Sequence, residues 1–392
     1  MTNRLMLLTV LTLSGSVGPL SAQPAHKGSR AAAHEHIARD NPPSREDTVS
    51  GRAVLVNNSK VPKTVEVNLT AALATMSLQP GVASEVFAYN GRVPGPTLDV
   101  REGDKVIVHF RNDLPEATTV HWHGIHLPFE SDGSPFHPIK PGETHDYVFT
   151  VRPGTAGTYW YHPHPDHRAG YAIGKGLFGG IIVRAADDPL PASMPDKLLI
   201  LSDNRFLADG SIDFPDPHAH HAVVDESNGR EGPVLFVNGQ VMPTIRIRSG
   251  EVQRWRVLNA SAGRMYRLAL SGHTFLQVGS DGGLFEKPVE VKEILLTTGE
   301  RVELLVRGSD APGGRSVLRN LPYDRYVFQT RPRDWETTRD LLTLETTNET
   351  PVTPVAIPAT LRRIPPLDTM QVSAVRTVTF SQGLINGKLM DM

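Results

Sequence analysis

Short stretches of alternating apolar and polar residues run along the chain, and clusters of glycine and proline separate them. Val106, Val108 and Phe110 form the apolar side of one such stretch. A period of two predicts a β-strand with one buried face, because successive side chains of a strand point to opposite sides. The 34 Gly and 32 Pro residues can supply many turns, and no helical period of useful length is present. The pattern therefore predicts an all-β fold.

A turn and two strands occur twice in the chain. The segments 86–124 and 234–270 each contain an Asn-Gly pair, then a Pro-Thr pair, then matching strands, in which "VREGD" corresponds to "IRSGE" and "FRN" to "VLN". The Asn-Gly pairs begin at Asn90 and Asn238, and a third begins at Asn386, so successive copies lie 148 residues apart (238 − 90 and 386 − 238). Self-similarity at a fixed interval indicates tandem copies of one unit.

The repeat, and the proline-rich stretches between its copies, predict tandem domains. A chain of 392 residues is long enough for two or three of them. We expect two complete β-sandwich domains, and a third that the sequence leaves after its first strand. The predicted division is a first domain at 51–186, a second at 197–348, a linker at 349–378 and the start of the third at 379–392.

The beginning of the chain has the pattern of a secretory signal peptide over residues 1–22. Arg4 precedes an apolar run, which is followed by small residues up to Ala22. The run is too short to span a bilayer, so we expect an exported protein, periplasmic or secreted, with no stable membrane span. Residues 23–50 are small and polar and are predicted to be disordered.

Charge and cysteine content narrow the classes of function. The formal net charge is −2, and no basic patch is present, which argues against nucleic acid as a partner. The chain contains no cysteine. An exported protein can use disulfides, so this fold must depend on its apolar cores.

Two histidine pairs carry the strongest chemical signal. "HWHGIHLP" contains His121 and His123, and "WYHPHPDH" contains His162 and His164. Residues two apart on a strand point to one face and lie roughly 6.5–7 Å apart along it. That spacing is wide for one ion and suits two neighbouring ions. Imidazole binds copper, zinc, iron and nickel, so two such strands side by side predict a cluster of metal ions.

The second copy of the repeat lacks these ligands. The position of His121, nine residues after the repeated Asn, is occupied by Leu268 (121 − 112 and 268 − 259), and Leu270 takes the place of His123. We therefore expect this pair of leucines to be part of an ordinary core. The remaining histidines lack the paired spacing and are interpreted as solvated, structural or at most indirect partners of the site: His26, His34, His36, His109, His126, His137, His145, His167, His218, His220, His221 and His273.

From about residue 60 onward the sequence resembles the multicopper oxidases, in particular their bacterial laccase-like and copper-tolerance members. The most specific shared motifs are "NGRVPGPTLDVREGD", "HWHGIHLP", "SDG" and "WYHPHPDHRAGYAIGKGLFGGIIV". The resemblance implies tandem cupredoxin-like Greek-key β-sandwiches. It also implies a three-copper cluster held by four His-x-His pairs, two from the first domain and two from the last.

The resemblance also implies roles for individual residues. His121 corresponds to a ligand of the isolated type 2 copper, and the ligands of the type 3 copper pair correspond to His123, His162 and His164. Asp132, in "SDG", corresponds to an acid that helps to move protons to oxygen. A turn-forming Asp before Gly would have the same sequence.

The chain departs from the family in its last part. A type 1 copper needs a cysteine thiolate, and the chain has none. We therefore expect a C-terminally truncated oxidase with the N-terminal half of its trinuclear copper site. The intact enzyme would oxidise phenols or metal ions by one electron and reduce O₂ to water. Two alternatives are an exported copper-binding or sequestering protein without oxidase turnover, and a mononuclear metallohydrolase, for which only Asp132 is near as a general base.

Overall fold

Strands form nearly all of the regular structure in the computed structural model, which confirms the predicted all-β class. The structure describes residues 44–47, 52–165, 168–214, 225, 229–325, 335–364, 374–381 and 384–389. Within these residues, no helix has the length and apolar character needed to cross a membrane.

Several expectations concern residues outside the described ones. These are the signal peptide at 1–22 and the histidines His26, His34, His36, His167, His218, His220 and His221. The segment 23–50 was expected to be disordered. Its described part, Ser44–Asp47, forms a strand paired with Arg52–Leu55. The expectation is wrong for this part, because backbone hydrogen bonds to a neighbouring strand do not depend on apolar side chains.

The first domain is a sandwich of two sheets. Its strands are β1 Ser44–Asp47, β2 Arg52–Leu55, β3 Thr64–Gln79, β4 Val82–Tyr89, β5 Gly95–Arg101, β6 Lys105–Asp113, β7 His121–His123, β8 Thr144–Thr150, β9 Gly157–His162 and β10 Gly179–Arg184. A 3₁₀ helix, Phe129–Ser131, follows β7, and helix α1, Ala169–Lys175, lies between β9 and β10. One sheet has the order β4-β3-β6-β8 and the other β1-β2-β5-β10-β9-β7.

The second domain repeats this arrangement. Its strands are β11 Asp196–Asn204, β12 Val234–Val237, β13 Thr244–Ile247, β14 Val252–Asn259, β15 Tyr266–Leu270, β16 Phe275–Ser280, β17 Gly283–Val291, β18 Ile294–Leu296, β19 Arg301–Arg307, β20 Arg315–Leu321 and β21 Arg339–Thr346. The order β12-β11-β14-β19 matches β4-β3-β6-β8, and β13-β21-β20-β15 matches β5-β10-β9-β7. The parallel pairs occupy the same places in both domains, so the predicted repeat is a repeat of topology.

The repeated Asn-Gly turns share one conformation. Asn90, Asn238 and Asn386 are left-handed, with φ of 49°, 52° and 50°. The side-chain oxygen of each accepts a backbone N–H at 2.7–2.8 Å. Each Asn N–H donates in return to the carbonyl of that same partner residue, at 2.8–2.9 Å. Asn and Gly tolerate left-handed backbone best, which explains why this pair recurs. The third turn joins two strands of a small sheet, β22 Phe380–Ser381, β23 Leu384–Ile385 and β24 Lys388–Leu389.

Each sandwich encloses its own apolar core. The alternating residues Val106, Val108 and Phe110 are all buried, as predicted, and they pack in one cluster with Trp122. Trp255 is part of the core of the second domain. Burial of such large side chains provides most of the favourable free energy of folding.

A buried ion cluster joins the two domains. Glu303 on β19 is fully buried and accepts hydrogen bonds from Arg254 and Arg256 of β14. Across the domain boundary, the hydroxyl of Thr158 on β9 donates to Glu303 Oε1 at 2.7 Å. Burial alone would raise the pKa of Glu303, but the two guanidinium groups outweigh it and hold the pKa below its ordinary value. The carboxylate is therefore ionised and ties β9 to the second domain.

His109 lies on the outer face of the first sheet between two carboxylates. Its Nδ1 is 2.8 Å from Asp146 Oδ1, and its Nε2 is 2.9 Å from Glu66 Oε1. The hydrogen bond with Glu66, and then that with Asp146, raise the pKa of His109 above 6.5. This residue is part of the sheet's polar surface, in agreement with the structural role expected for it.

We expect His109 to stabilise the fold more at low pH than at high pH. Its contribution is complete below the unfolded-state pKa of about 6.5 and is lost as the pH rises through the higher folded-state pKa. The difference in Tm between the parent chain and His109→Gln, measured from pH 5 to 9, should shrink along this range. In a Glu66→Gln/Asp146→Asn background the same difference should not change with pH. A pH-independent difference in the parent background would contradict the expectation.

Candidate metal centre

Two neighbouring strands carry the histidine pairs. β7 and β9 run antiparallel, with His121 opposite His162 and His123 opposite Trp160. Trp122, between the histidines of β7, points to the opposite side and is fully buried in the core. Alternation along the strand therefore puts both imidazoles of β7 on one face, as the spacing predicts.

Three of the four predicted ligands converge. One ring nitrogen from each of His121, His123 and His162 lies within 4.8 Å of the other two. Nδ1 of His123 and Nε2 of His162 lie 3.2 Å apart. Two nitrogens that each bind one ion at about 2.0–2.1 Å lie about 3 Å apart. This pair of nitrogens therefore fits a shared metal ion.

Backbone carbonyl groups orient two of these rings. Nδ1–H of His162 donates to the carbonyl of Pro163 at 2.9 Å, and Nδ1–H of His121 donates to the carbonyl of Asp132 at 2.8 Å. These assignments leave Nε2 of both rings free to bind a metal. Such hydrogen bonds are the usual support of histidine ligands, so the donor set and its orientation fit copper or another imidazole-binding metal.

His164 lies beside this group rather than within it. Its side chain is exposed, and its ring centroid is 5.6 Å from that of His121 and 6.1 Å from that of His162. Its backbone N–H donates to the hydroxyl of Thr119 at 2.8 Å, which fixes the chain but not the ring. The ring is therefore near enough to bind an ion next to the three converging nitrogens.

Asp132 has a structural role that the sequence also allowed. It ends the 3₁₀ helix Phe129–Ser131, and its backbone carbonyl orients His121. Its carboxylate Oδ1 is 3.5 Å from Nδ1 of His121 and is partly exposed. The residue thus forms a turn and also places an acid next to a ligand.

Burial keeps two of the imidazoles neutral. It is the main cause that lowers the pKa of His123 to about 4, and the positive charge of Arg301 is the second cause. Burial also lowers the pKa of His162 well below 6.5, although the hydrogen bond with the Pro163 carbonyl opposes this shift. Neutral imidazole is the form that binds metal ions, so both rings are ready to bind at neutral pH.

An aromatic side chain packs against the histidines, and it was not predicted from the sequence. The ring of Trp160 stacks on that of His162, with 4.1 Å between centroids, and lies 5.1 Å from the ring of His123. Gly124, the glycine of "HWHG", has φ of 90°, and a Cβ there would lie 2.7 Å from the guanidinium of Arg301 and 2.9 Å from Tyr159. In "TYWYH", Trp160 lies two residues before His162, so the alternation of a strand predicts that both share one face. No local pattern points to Arg301.

Models of a known protein family match the part of the chain that contains this site. Models of the multicopper oxidase family match two consecutive segments, residues 70–188 and 181–338, and the first contains both histidine pairs. A multicopper oxidase from Staphylococcus aureus is 34% identical over 232 residues, which are 58% of this chain and 49% of that protein. The chain thus spans about half the length of the curated relatives it matches.

Solved structures of multicopper oxidases are similar to a larger part of the chain. A multicopper oxidase from Campylobacter jejuni, described as a metallo-oxidase, is 33% identical with a TM-score of 0.72, over 84% of this chain and 66% of that one. A multi-copper oxidase from Pseudomonas thermotolerans is 32% identical with a TM-score of 0.64, over 79% of this chain and 70% of that one. These similarities support the cupredoxin-like form of both sandwiches.

Proposed function

Because the chain belongs to the multicopper oxidase family, we propose that it supplies half of the ligands of a copper cluster. In the complete site, one-electron oxidation of phenols or metal ions would be coupled to the reduction of O₂ to water. Bound copper would supply the one-electron redox chemistry. The reaction, its donors and its co-substrate are our proposal for this chain.

The observation that carries the proposal is the convergence of three imidazoles, two of which are kept neutral by burial. Nδ1 of His123 and Nε2 of His162 lie 3.2 Å apart, and His121 is in the same group. We assign His123, His162 and His164 to a pair of type 3 ions and His121 to a type 2 ion. His164 lies outside the group of three converging nitrogens, which supports more than one ion.

Asp132 is proposed to hold and pass protons at the edge of this site. Its carboxylate is partly exposed, so it can exchange protons with water, and it lies 3.5 Å from the His121 ring. The carbonyl of the same residue keeps Nδ1–H of His121 turned away from the metal. A single residue would thus orient one ligand and serve as the proton donor to reduced oxygen.

Export of the protein remains part of the proposal. It is supported by the Arg4-led apolar run of residues 1–22. Copper chemistry outside the cytoplasm, in the periplasm or after secretion, would agree with such a leader.

Copper titration tests the proposed site. We expect the chain to bind Cu(II), and His123→Ala/His162→Ala to bind it at least about 100-fold more weakly, since even outer hydrogen-bond partners of metal ligands contribute 10–100-fold. The matched control is His126→Ala/His137→Ala, which removes two exposed imidazoles. Calorimetric Kd values and thermal unfolding should be measured for all three. Equal losses in both double variants would refute the assignment.

Copper binding without turnover is a second candidate function, which the lack of cysteine favours. The chain has the imidazoles but no thiolate for an electron-accepting copper. Copper-loaded protein should then show no intense thiolate-to-copper absorption, and it should oxidise a phenolic donor no faster than free copper. Rapid turnover by these 392 residues would favour the oxidase and exclude simple sequestration.

A further inference from the structure

A turn of the second domain lies close to His123, a proposed ligand in the first. An ideal Cβ at Gly299 would lie 3.3 Å from Cε1 and 3.6 Å from Nε2 of His123, and 3.6 Å from the Trp160 ring. Gly299 therefore faces the Cε1–Nε2 edge of the imidazole. The opposite nitrogen, Nδ1, is the one that lies 3.2 Å from His162.

The repeat provides an internal comparison for this contact. Gly142, in "KPGE" of the first domain, corresponds to Gly299, in "TTGE" of the second. Each glycine N–H donates to the carbonyl of the repeated Asn, Asn112 at 2.7 Å or Asn259 at 2.9 Å. Their φ values are 79° and 82°. A Cβ at Gly142 would have nothing within 4 Å. The turn was thus retained in both domains, whereas the contact with an imidazole is specific to the second.

Hydrogen bonds from Arg301 connect this turn to the strand that carries His162. Its guanidinium donates from Nε to the carbonyl of Thr158 on β9 at 2.9 Å, and from Nη1 to the carbonyl of Gly299 at 3.0 Å. The same group forms an ion pair with Asp281 at 2.9 Å. Arg301 is 5% exposed. A buried arginine with this many partners holds a fixed position, because its planar fork loses little further freedom per hydrogen bond.

We propose that the turn Thr297–Arg301 is a positioning element of the copper site. Gly299 holds the ring of His123 so that Nδ1, and not Nε2, faces His162, and Arg301 holds Gly299 in place. The second domain has no paired histidines on its own strand Tyr266–Leu270, yet it forms one wall of the site in the first domain. This inference rests on the proposed copper function and assigns a new role to the second domain.

Gly299→Ala tests the contact, with Gly142→Ala as its matched control. Both substitutions put a Cβ on a left-handed backbone, so both strain the turn, but only Gly299→Ala presses on His123. We expect Gly299→Ala to weaken Cu(II) binding about tenfold, within the range for groups that support metal ligands, and Gly142→Ala to leave the Kd unchanged. Equal Kd values for the two variants would overturn the proposal.

Arg301→Lys provides an independent test that also applies if Gly299→Ala fails to fold. It keeps the charge beside His123 but loses the fork that joins Thr158 to Gly299. We expect weaker Cu(II) binding and a changed hyperfine pattern in the electron paramagnetic resonance spectrum, neither of which a loss of stability alone would produce in folded protein. A parental Kd and spectrum would overturn the role of Arg301.

A metal-free measurement separates this proposal from the copper function. The ¹H–¹³C resonance of Cε1 in His123 should shift in Gly299→Ala and stay in place in Gly142→Ala. If the parent chain bound no copper but the resonance shifted as expected, the proposed function would fail and the positioning contact would stand. If the parent chain bound copper and the resonance did not shift, the positioning proposal would fail alone.

Discussion

Glu303→Gln is expected to lower the free energy of unfolding by about 3–5 kcal/mol, the usual cost of removing one partner from a buried ion pair. Glu303 has no solvent exposure, and its carboxylate accepts from Arg254, Arg256 and Thr158. The amide would remove the anion that Arg254 and Arg256 share, leaving Asp188 and Asp196 as their remaining carboxylate partners. The stabilisation should be present at neutral pH and lost as the pH falls through the lowered folded-state pKa of Glu303.

The control for this prediction is an exposed ion pair. Asp340 is 2.9 Å from Arg319, and both side chains are more than 40% exposed. Asp340→Asn should cost at most about 1 kcal/mol, because water screens such pairs. Urea unfolding of both variants gives the comparison. Equal losses would show that the cluster at the domain boundary contributes no more than a surface pair.

Local pattern was sufficient to predict the strands and the repeat. The buried residues Val106, Val108 and Phe110 follow the predicted alternation, because a strand's period of two is visible over a few residues. The three Asn-Gly turns were predicted from identity and spacing alone, and they share one backbone conformation. Strand β1 was missed, since its pairing with β2 depends on backbone hydrogen bonds and not on an apolar pattern.

The shared face of the paired histidines was also predictable, but not their surroundings. Histidines two apart on a strand must share a face, so the spacing of His121 and His123 was informative by itself. Which nitrogen each ring presents depends on carbonyls brought near by turns, such as that of Asp132. Gly299 and His123 lie close together although they are 176 positions apart (299 − 123), and no local sequence pattern can predict such a proximity between two domains.

The register of the second domain leads to the last prediction. Leu268 lies opposite Asn320 on the neighbouring strand, as His121 lies opposite His162. The side chains nevertheless point to different sides, because Leu268 faces the core of its sandwich, as Trp122 does, whereas His121 faces away from the core. Thr118 pairs with Ile139 and Tyr266 with Leu296, which places one extra residue between the repeated Asn and the strand of the second domain. The expected match of Leu268 with His121 is therefore wrong by one position, although its burial is as expected. Its side chain is fully buried within the core of the second sandwich. Leu268→Ala should therefore lower the free energy of unfolding by about 2–5 kcal/mol, through lost apolar burial and the cavity that remains.

Leu295→Ala is the matched control for this change. Leu295 lies on the strand next to Leu268 but is 38% exposed, so its truncation should cost no more than about 0.5 kcal/mol. Leu268→Ala should leave Cu(II) affinity unchanged in the folded protein, because the second sandwich contacts the site through the turn Thr297–Arg301 and not through its core. A loss below about 0.5 kcal/mol for Leu268→Ala would mean that this side chain does not contribute to the core of the second sandwich.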